Sequence, residues 1–295
     1  MTVHIPVLMD EVLDAMQPQP GHVAVDGTLG GAGHTQRLLD KVGESGRVIA
    51  FDRDPGPVEA AAQKIDDPRL TLIHANYADI PEHLNSLGIE HVDSLLLDLG
   101  LSSDQLEDRD RGFSYQSDGP LDLRFNPLAG EAAWKLVNRL SEKHLADLIY
   151  QFGEERLSRR IARKIVAARQ DAPIRTSLEL AQLVRRCVPR SKNHSIDPAT
   201  RTFQALRIAV NEELKWLSVA MERLPKVLAV GGRMSVISFH SLEDRIVKQS
   251  FAQQAINASF ELKVLTRKPI MASPEELESN PRSRSAKMRV AERIA

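Results

Sequence analysis

Two aspartates stand where the chain could do chemistry on a ligand. Asp26 ends the apolar run "VAV" and begins "DGTLGGAGHT", and Asp52 ends "VIAF". A carboxylate at the end of an apolar run can accept hydrogen bonds from hydroxyls or amines of a bound molecule. The glycines after Asp26 would let backbone approach that molecule closely. A dinucleotide-binding turn would read G-x-G-x-x-G. Here Gly31-Ala32-Gly33 is followed by His34, Thr35 and Gln36, so the third glycine is missing. A triphosphate-binding loop would end in Gly-Lys-Ser/Thr, and this one ends in Gly-His-Thr. The turn therefore reads as one that cradles no phosphate.

An acid at the tip of the second strand of a doubly wound sheet accepts hydrogen bonds from ribose hydroxyls, which suits Asp52. An acid at each of two successive strand ends, bracketing a glycine turn without phosphate chemistry, fits a nucleoside carrying a sulfonium and an amino-acid tail. S-adenosylmethionine is such a molecule. Either aspartate alone would be read as a helix cap or turn residue; the pair is much less often an accident.

The elements that must position these residues can be read from periodicity. Residues 22–28, 47–54, 70–77 and 94–100 are short apolar runs, and 34–43, 56–65 and 78–88 read as helices between them. Runs too continuous for a strand with one buried face predict a parallel sheet covered by helices on both sides. Ligands of such sheets lie at the carboxyl ends of the strands. After Gly100 the rhythm breaks into a polar loop, then turns almost wholly helical from Glu131 to about Leu228. Strands return at 231–240, 260–268 and 286–294. The expected architecture is α/β: a Rossmann-like, mostly parallel seven-stranded sheet over 1–104 and 229–295, interrupted by an all-helical domain over 105–228. Two tandem domains would orphan the last three strands.

Bulk properties limit the partners. The chain of 295 residues has a formal net charge of -1, so no global charge favours a polyanion. Between Glu131 and Lys192, however, 14 Lys/Arg face 7 Asp/Glu, a local excess of +7. Basic helices alone are usually solvated faces, but "RLSRRIARKIVAAR" sets Arg156, Arg160, Arg163 and Lys164 apart from Leu157, Ile161 and Ile165, which tilts the reading toward RNA phosphates. The single cysteine, Cys187, excludes an internal disulfide and a multi-cysteine zinc cluster, and no metal site is expected. No window reaches the ~18 apolar residues of a membrane span and the first residues lack a signal-peptide pattern. The expectation is a cytoplasmic protein without a membrane partner.

The chain resembles the bacterial small-subunit ribosomal RNA cytosine-N4 methyltransferase family. The resemblance rests on "HIPVLMDEV", "VDGTLGGAGHT", "FDRDP", "LLLDLGLSSDQL", "RGFSY", "DGPLDLR", "FGEER", "PATRTFQALRIAVNEEL", "GGRMSVISFHSLEDRIVK" and "NPRSRSAKMRVAER", in that order along nearly the whole chain. It implies a class I methyltransferase fold and S-adenosyl-L-methionine contacts at Ala32, Gly33, His34, Asp52, Tyr77, Asp98 and Gln105. Tyr77 stands where Phe is common and Ala32 where Gly is common. The implied substrate is a cytidine in the decoding region of small-subunit ribosomal RNA, on an assembled or nearly assembled subunit, with no DNA substrate.

The N4 amine of cytosine is a weak nucleophile because its lone pair is delocalised into the ring. Acceptors for its hydrogens turn the lone pair outward and then remove a proton, and related amine-directed enzymes place them just after the fourth strand. There this chain has Asp98-Leu99-Gly100-Leu101-Ser102-Ser103. Asp98 can serve the cofactor or the amine, and Ser102 is a second candidate. "SFHSLEDR" offers His240, with Ser238 or Ser241, as contacts for the base; a helix cap built from Ser241 and Asp244 is an equal reading. His34 would touch the cofactor through its backbone. His4 and Asn211 are candidates by resemblance only. The target base must be single-stranded or flipped. A methyltransferase for a small molecule or protein, and a non-catalytic ribosome-assembly factor with a vestigial pocket, remain alternatives, and no oligomeric state follows from the sequence.

Overall fold

The computed structural model describes residues 6–115, 118–188, 197–256 and 261–295. The chain forms two compact units, one of Met1–Leu101 with Leu214–Ala295 and one of Ser102–Glu213.

The first unit opens with α1 (Met9–Met16) and alternates β1 (Val23–Asp26), α2 (Gly33–Val42), β2 (Arg47–Asp52), α3 (Pro55–Lys64), β3 (Leu70–His74), α4 (Ile80–Ser86) and β4 (Val92–Asp98). The second unit follows with α5 (Ser103–Glu107), α6 (Ala133–Arg139), α7 (Glu142–Gly153), α8 (Ser158–Asp171), α9 (Ser177–Cys187) and α10 (Thr200–Asn211). The chain then returns through α11 (Glu213–Arg223), β5 (Leu228–Ser238), α12 (Ser241–Gln254), β6 (Leu262–Val264), α13 (Pro274–Ser279) and β7 (Lys287–Arg293).

One seven-stranded sheet results, in the order β3-β2-β1-β4-β5-β7-β6. The first five strands are parallel, while β7 runs antiparallel to β5 and β6. This is a Rossmann-like, mostly parallel sheet in which the strand order reverses between β1 and β4. The alternation of side chains on each strand builds two cores. Val25, Ile49, Phe51, Leu95, Leu97, Met234 and Val236 enter one buried cluster with Leu217, Ala220 and Met221 of α11 and Val247 and Phe251 of α12. Ala24, Val48, Leu96 and Ile237 enter the other, with Leu8 and with Val12 and Met16 of α1 and Leu38, Leu39 and Val42 of α2. Both faces of the central strands are therefore covered, which is why their sequences read as unbroken apolar runs. Near the chain ends, the backbone N–H of Leu8 donates to Glu276 Oε1 of α13 at 2.8 Å.

The helical unit is built on α7, which packs against both α8 and α10, while α8 also meets α9. Its buried side chains include Leu145 and Ile149 of α7, Ile161 and Ile165 of α8, Leu180 and Val184 of α9 and Leu206 of α10. The division between the units falls at Glu213/Leu214, about fifteen residues before the boundary at 228/229 that the sequence predicts. Helical periodicity runs through this join without a break. What assigns α11 to the sheet is its apolar face, whose Leu217, Ala220 and Met221 enter the same buried cluster as Leu95 and Leu97 of β4, a tertiary property. At the other ends the strands are shorter than the sequence reading: β3 stops at His74 and β6 spans only Leu262–Val264.

Candidate active site

In the sheet unit, β1 and β4 are neighbours although β2 and β3 lie between them in sequence, so the strand order reverses there. The crevice above such a reversal is the usual ligand site. Parallel register carries the three aspartates to one edge: Asp26 pairs with Ala50 and Leu96, Asp52 with His74 and Asp98 with Ile237.

Asp26 is fully buried and spent on the glycine turn. Its Oδ1 accepts from Thr28 N at 3.1 Å and its Oδ2 from Thr35 Oγ1 at 2.7 Å. Burial raises its pKa, against those hydrogen bonds. Thr28 in turn accepts the backbone N–H of Asp98 at its Oγ1, 2.7 Å away. The first and fourth strand ends are thus locked to each other through Thr28. Asp52 holds the far side of the turn: Oδ2 accepts from Gly30 N at 3.0 Å and Oδ1 from Asp54 N at 2.9 Å. Burial pushes its carboxyl up to about 6, again against hydrogen bonds that lower it. Each carboxylate oxygen has a second lone pair, so Asp52 can hold the turn and still accept from a ligand's hydroxyls.

The turn ends in a strained corner. Ala32 is the N-cap of α2 at φ 63°, with no side-chain cap. A left-handed conformation costs a non-glycine residue about 1–2 kcal/mol, which explains why glycine suits this position. Gly33 is required for another reason: a Cβ there would lie 2.2 Å from Pro6 Cγ. The segment before α1 therefore rests directly on the turn. His34, buried, fastens the same segment, since its Nε2 lies 3.1 Å from the carbonyl oxygen of Val7. That oxygen only accepts, so Nε2 carries the hydrogen. His34 Nδ1 is 3.9 Å from Asp98 Oδ2.

Asp98 differs from the other two. Its side chain is one-fifth exposed, yet its Oδ1 is buried and has no hydrogen-bond partner among the described residues. Burial first, then the charges of Asp26 and Glu243, raise its pKa well above the usual carboxylate range. A buried acceptor without a donor is expensive unless something else supplies one. This orphaned oxygen, the glycine turn pressed to close approach and the Asp52 carboxyl are features that a nucleoside with amine and hydroxyl donors fits. Tyr77 begins a tight turn just after β3 and is half-buried against the core cluster of the sheet.

After β5, His240 is engaged as a cap. Its Nδ1 accepts from Glu243 N at 3.4 Å, Glu243 Oε2 accepts from His240 N at 3.3 Å and Phe239 N at 2.9 Å, and His240 Nε2 lies 3.1 Å from Glu243 Oε1. The cap reading was right in kind but displaced by one residue: His240 and Glu243 form it, not Ser241 and Asp244. Asp244 instead receives Arg289 Nε of β7 at 2.6 Å. Ser238 turns away to donate to the carbonyl of Lys287 at 3.2 Å.

The remaining candidates belong to the helical unit. Ser102 caps α5, its Oγ accepting from Gln105 N at 3.2 Å while Gln105 Oε1 accepts from Ser102 N at 3.1 Å. The sequence "SSDQ" carries that reciprocal pattern in its S-x-x-Q spacing. Asn211 ties α10 to an irregular segment, donating to Leu123 O at 2.7 Å and accepting from Phe125 N at 2.8 Å. His4 lies outside the described residues. Sequence reasoning missed Thr28, whose hydroxyl joins the turn to β4, and Glu243, which shares the cap with His240 and adds, after burial and Asp26, to the raised pKa of Asp98.

Comparison with known proteins adds three relatives and a family. A family model described as the MraW methylase family matches residues 1–294. Proteins named Ribosomal RNA small subunit methyltransferase H are 49% identical in Rhodopirellula baltica, covering 99% of this chain and 92% of the relative. The values are 47%, 99% and 98% for Geobacter sp. strain M21, and 50%, 99% and 90% for Deinococcus radiodurans.

Proposed function

The chain belongs to the MraW methylase family and is an S-adenosylmethionine-dependent ribosomal RNA methyltransferase; from that premise we propose that it methylates the exocyclic N4 amine of a cytidine near the decoding region. The target would be presented on an assembled or nearly assembled small subunit in the cytoplasm. The observation that carries the N4 reading is Asp98 Oδ1, a buried acceptor without a donor among the described residues, at the carboxyl end of β4.

S-adenosylmethionine, when bound, supplies a methyl group activated by the positive charge on sulfur. Ala32, Gly33 and His34 would hold its amino-acid end through backbone at the start of α2, Asp52 its ribose hydroxyls, and Tyr77 would offer an apolar face to adenine. Asp98 orients the amine by accepting its N–H, which turns the nitrogen lone pair outward, and takes the proton released on transfer. A base whose pKa is raised above the usual carboxylate range takes a proton more readily than an ordinary aspartate. Gln105 would complete the cofactor contacts. Ser102 and His240, both engaged as caps, would reach the base only through the loops whose positions they fix.

Chemistry at a ring carbon of cytosine would call for a nucleophile, typically an exposed and activated thiolate. The single cysteine, Cys187, is buried in α9 of the helical unit and its pKa is raised by that burial. It has neither the exposure nor the ionisation for that role. The test is direct: small subunits from a strain lacking this enzyme are incubated with it and methyl-labelled S-adenosylmethionine, then digested to nucleosides. Label in N4-methylated cytidine is expected. Label on a ring carbon or a uridine would overturn the N4 assignment, and unlabelled RNA would overturn the function.

A further inference from the structure

Most arginines of the helical unit are committed to holding it together. Arg124 pairs with Asp122, Arg139 with Glu131, Arg185 with Asp197 and Arg207 with Glu213, while Arg169 donates to the carbonyl of Val137. One group is not so used. Arg156, in the turn before α8, and Arg159, Arg160, Arg163 and Lys164 within it are all exposed. Among them Arg163 lies 3.5 Å from Glu142; the other four have no ion-pair partner among the described residues.

Their position makes the omission informative. The amino end of a helix carries partial positive charge and favours acids. The first turn of α8 contains no acid, and Leu157 at its N-cap makes no side-chain cap bond. Glu155, just upstream, is buried and accepts Leu157 N at 2.7 Å. Beside that one carboxylate, already taken up by Leu157 N, Arg156, Arg159 and Arg160 load positive charge onto a positive helix end, with no ion-pair partner for them among the described residues. A sequence selected for helix stability alone would not do this. The cost is understandable if an external polyanion supplies the counter-charge.

The geometry favours a nucleic-acid strand as that polyanion. Arg156, Arg160 and Lys164 recur at four-residue steps, and Arg160 to Lys164 is a rise of about 6 Å along the helix. Phosphates recur at about 3.4 Å per strand along a duplex axis, so a step of about 6 Å spans close to two of them and such a row can meet alternate phosphates of one strand. The opposite face of α8 buries Ile161, Ala162 and Ile165 in the unit's core, which fixes the row facing outward.

We propose that the row formed by Arg156, just before α8, with Arg160 and Lys164 of α8 is a phosphate-backbone contact that holds the ribosomal RNA of the substrate. This rests on the proposed function. The row would contribute affinity and no base specificity, because phosphate contacts carry no sequence information.

The experiment uses the full chain with all three residues changed to alanine, beside Arg139→Ala as an exposed, ion-paired control from the same unit. Binding to small subunits and to protein-free small-subunit RNA is measured across salt concentrations, with methyl transfer kinetics on subunits. The triple variant should lower the slope of log affinity against log salt by about 3, one for each cation removed. The KM for subunits should rise about tenfold or more, with unchanged kcat, unchanged S-adenosylmethionine affinity and an unchanged far-ultraviolet spectrum. The control should match wild type. Unchanged slope and KM would overturn the proposal while leaving the methylation reading intact. Weaker binding to subunits with undiminished binding to free RNA would assign the row to a ribosomal protein and also overturn it. A wild-type enzyme that leaves all ribosomal RNA unlabelled would instead sink the function itself.

Discussion

Asp52 and Asp98 are both carboxyls raised by burial, yet they should respond differently to substitution. Asp52 is drawn up to about 6, and its ionised form is the better acceptor for ribose hydroxyls. Affinity for S-adenosylmethionine should therefore rise with pH to about 6 and level off above it. Calorimetric titration of Asp52→Ala should show a roughly ten- to hundredfold loss, from the ~1.5–3 kcal/mol of hydrogen bonds to a charged group, and no remaining pH dependence in that window. The same shift works against folding. Between about 4 and about 6 the folded protein keeps a proton that the unfolded chain has released, so this carboxyl's contribution to stability declines as pH rises through that interval. Asp98 has its own signature. Only its ionised form can take the amine's proton, so kcat should climb with pH through its raised pKa. Asp98→Asn keeps the backbone bond to Thr28 Oγ1 and an amide oxygen that can still accept, but removes the carboxylate that takes the proton. It should lower kcat by about 10²–10⁴-fold, read by single-turnover labelling, with subunit affinity retained; a loss confined to S-adenosylmethionine affinity would make Asp98 a cofactor residue only.

At the scale of elements, the turn between β1 and α2 makes opposite demands on adjacent residues. Gly33→Ala would drive a Cβ to 2.2 Å from Pro6 Cγ, lifting the amino-terminal segment off the turn. About 1–3 kcal/mol of stability should be lost, visible in urea unfolding, with weaker cofactor binding. Ala32→Gly should do the reverse: relief of the left-handed strain at φ 63° exceeds glycine's ~0.5–1 kcal/mol entropic cost, leaving a gain of about 0.5 kcal/mol. The contrast shows what sequence could reveal. Asp26 and Asp52 were legible as strand-end acids because apolar runs mark strand ends, whereas Asp98 was marked by the family resemblance. The glycine turn was legible through the motifs it fails to match. That Asp26 would be consumed by Thr28 and Thr35, or that His240 rather than Ser241 would cap α12, was not. Those choices depend on which donor and acceptor meet after the strands align, and histidine is an uncommon cap. His240→Asn, which can still cap, should keep the stability that His240→Ala loses, about 1 kcal/mol. Thermal unfolding of the two variants separates capping from general disruption.

For the whole molecule, the inserted helices were legible because the strand rhythm stops at Gly100 and resumes near 231. Their far boundary was not, because α11 continues the same period while packing on the sheet. The order of the strands has a consequence for how the molecule is made. β5 completes the parallel half of the sheet beside β4, although the whole of Ser102–Glu213 separates them in sequence. In refolding, long-range pairing is slow and local helix contacts are fast. Pulse-labelled hydrogen exchange should therefore find amides of α7, α8 and α10 protected before those shared by β4 and β5. During translation the constraint is stricter, because β4 emerges with one edge bare and no mate yet synthesised. A bare edge invites pairing with foreign strands. The nascent chain must survive that interval until β5, β7 and the Glu276 clasp on Leu8 have left the exit tunnel. A ribosomal RNA methyltransferase of this family is thus made through an interval in which its own half-built sheet needs shielding.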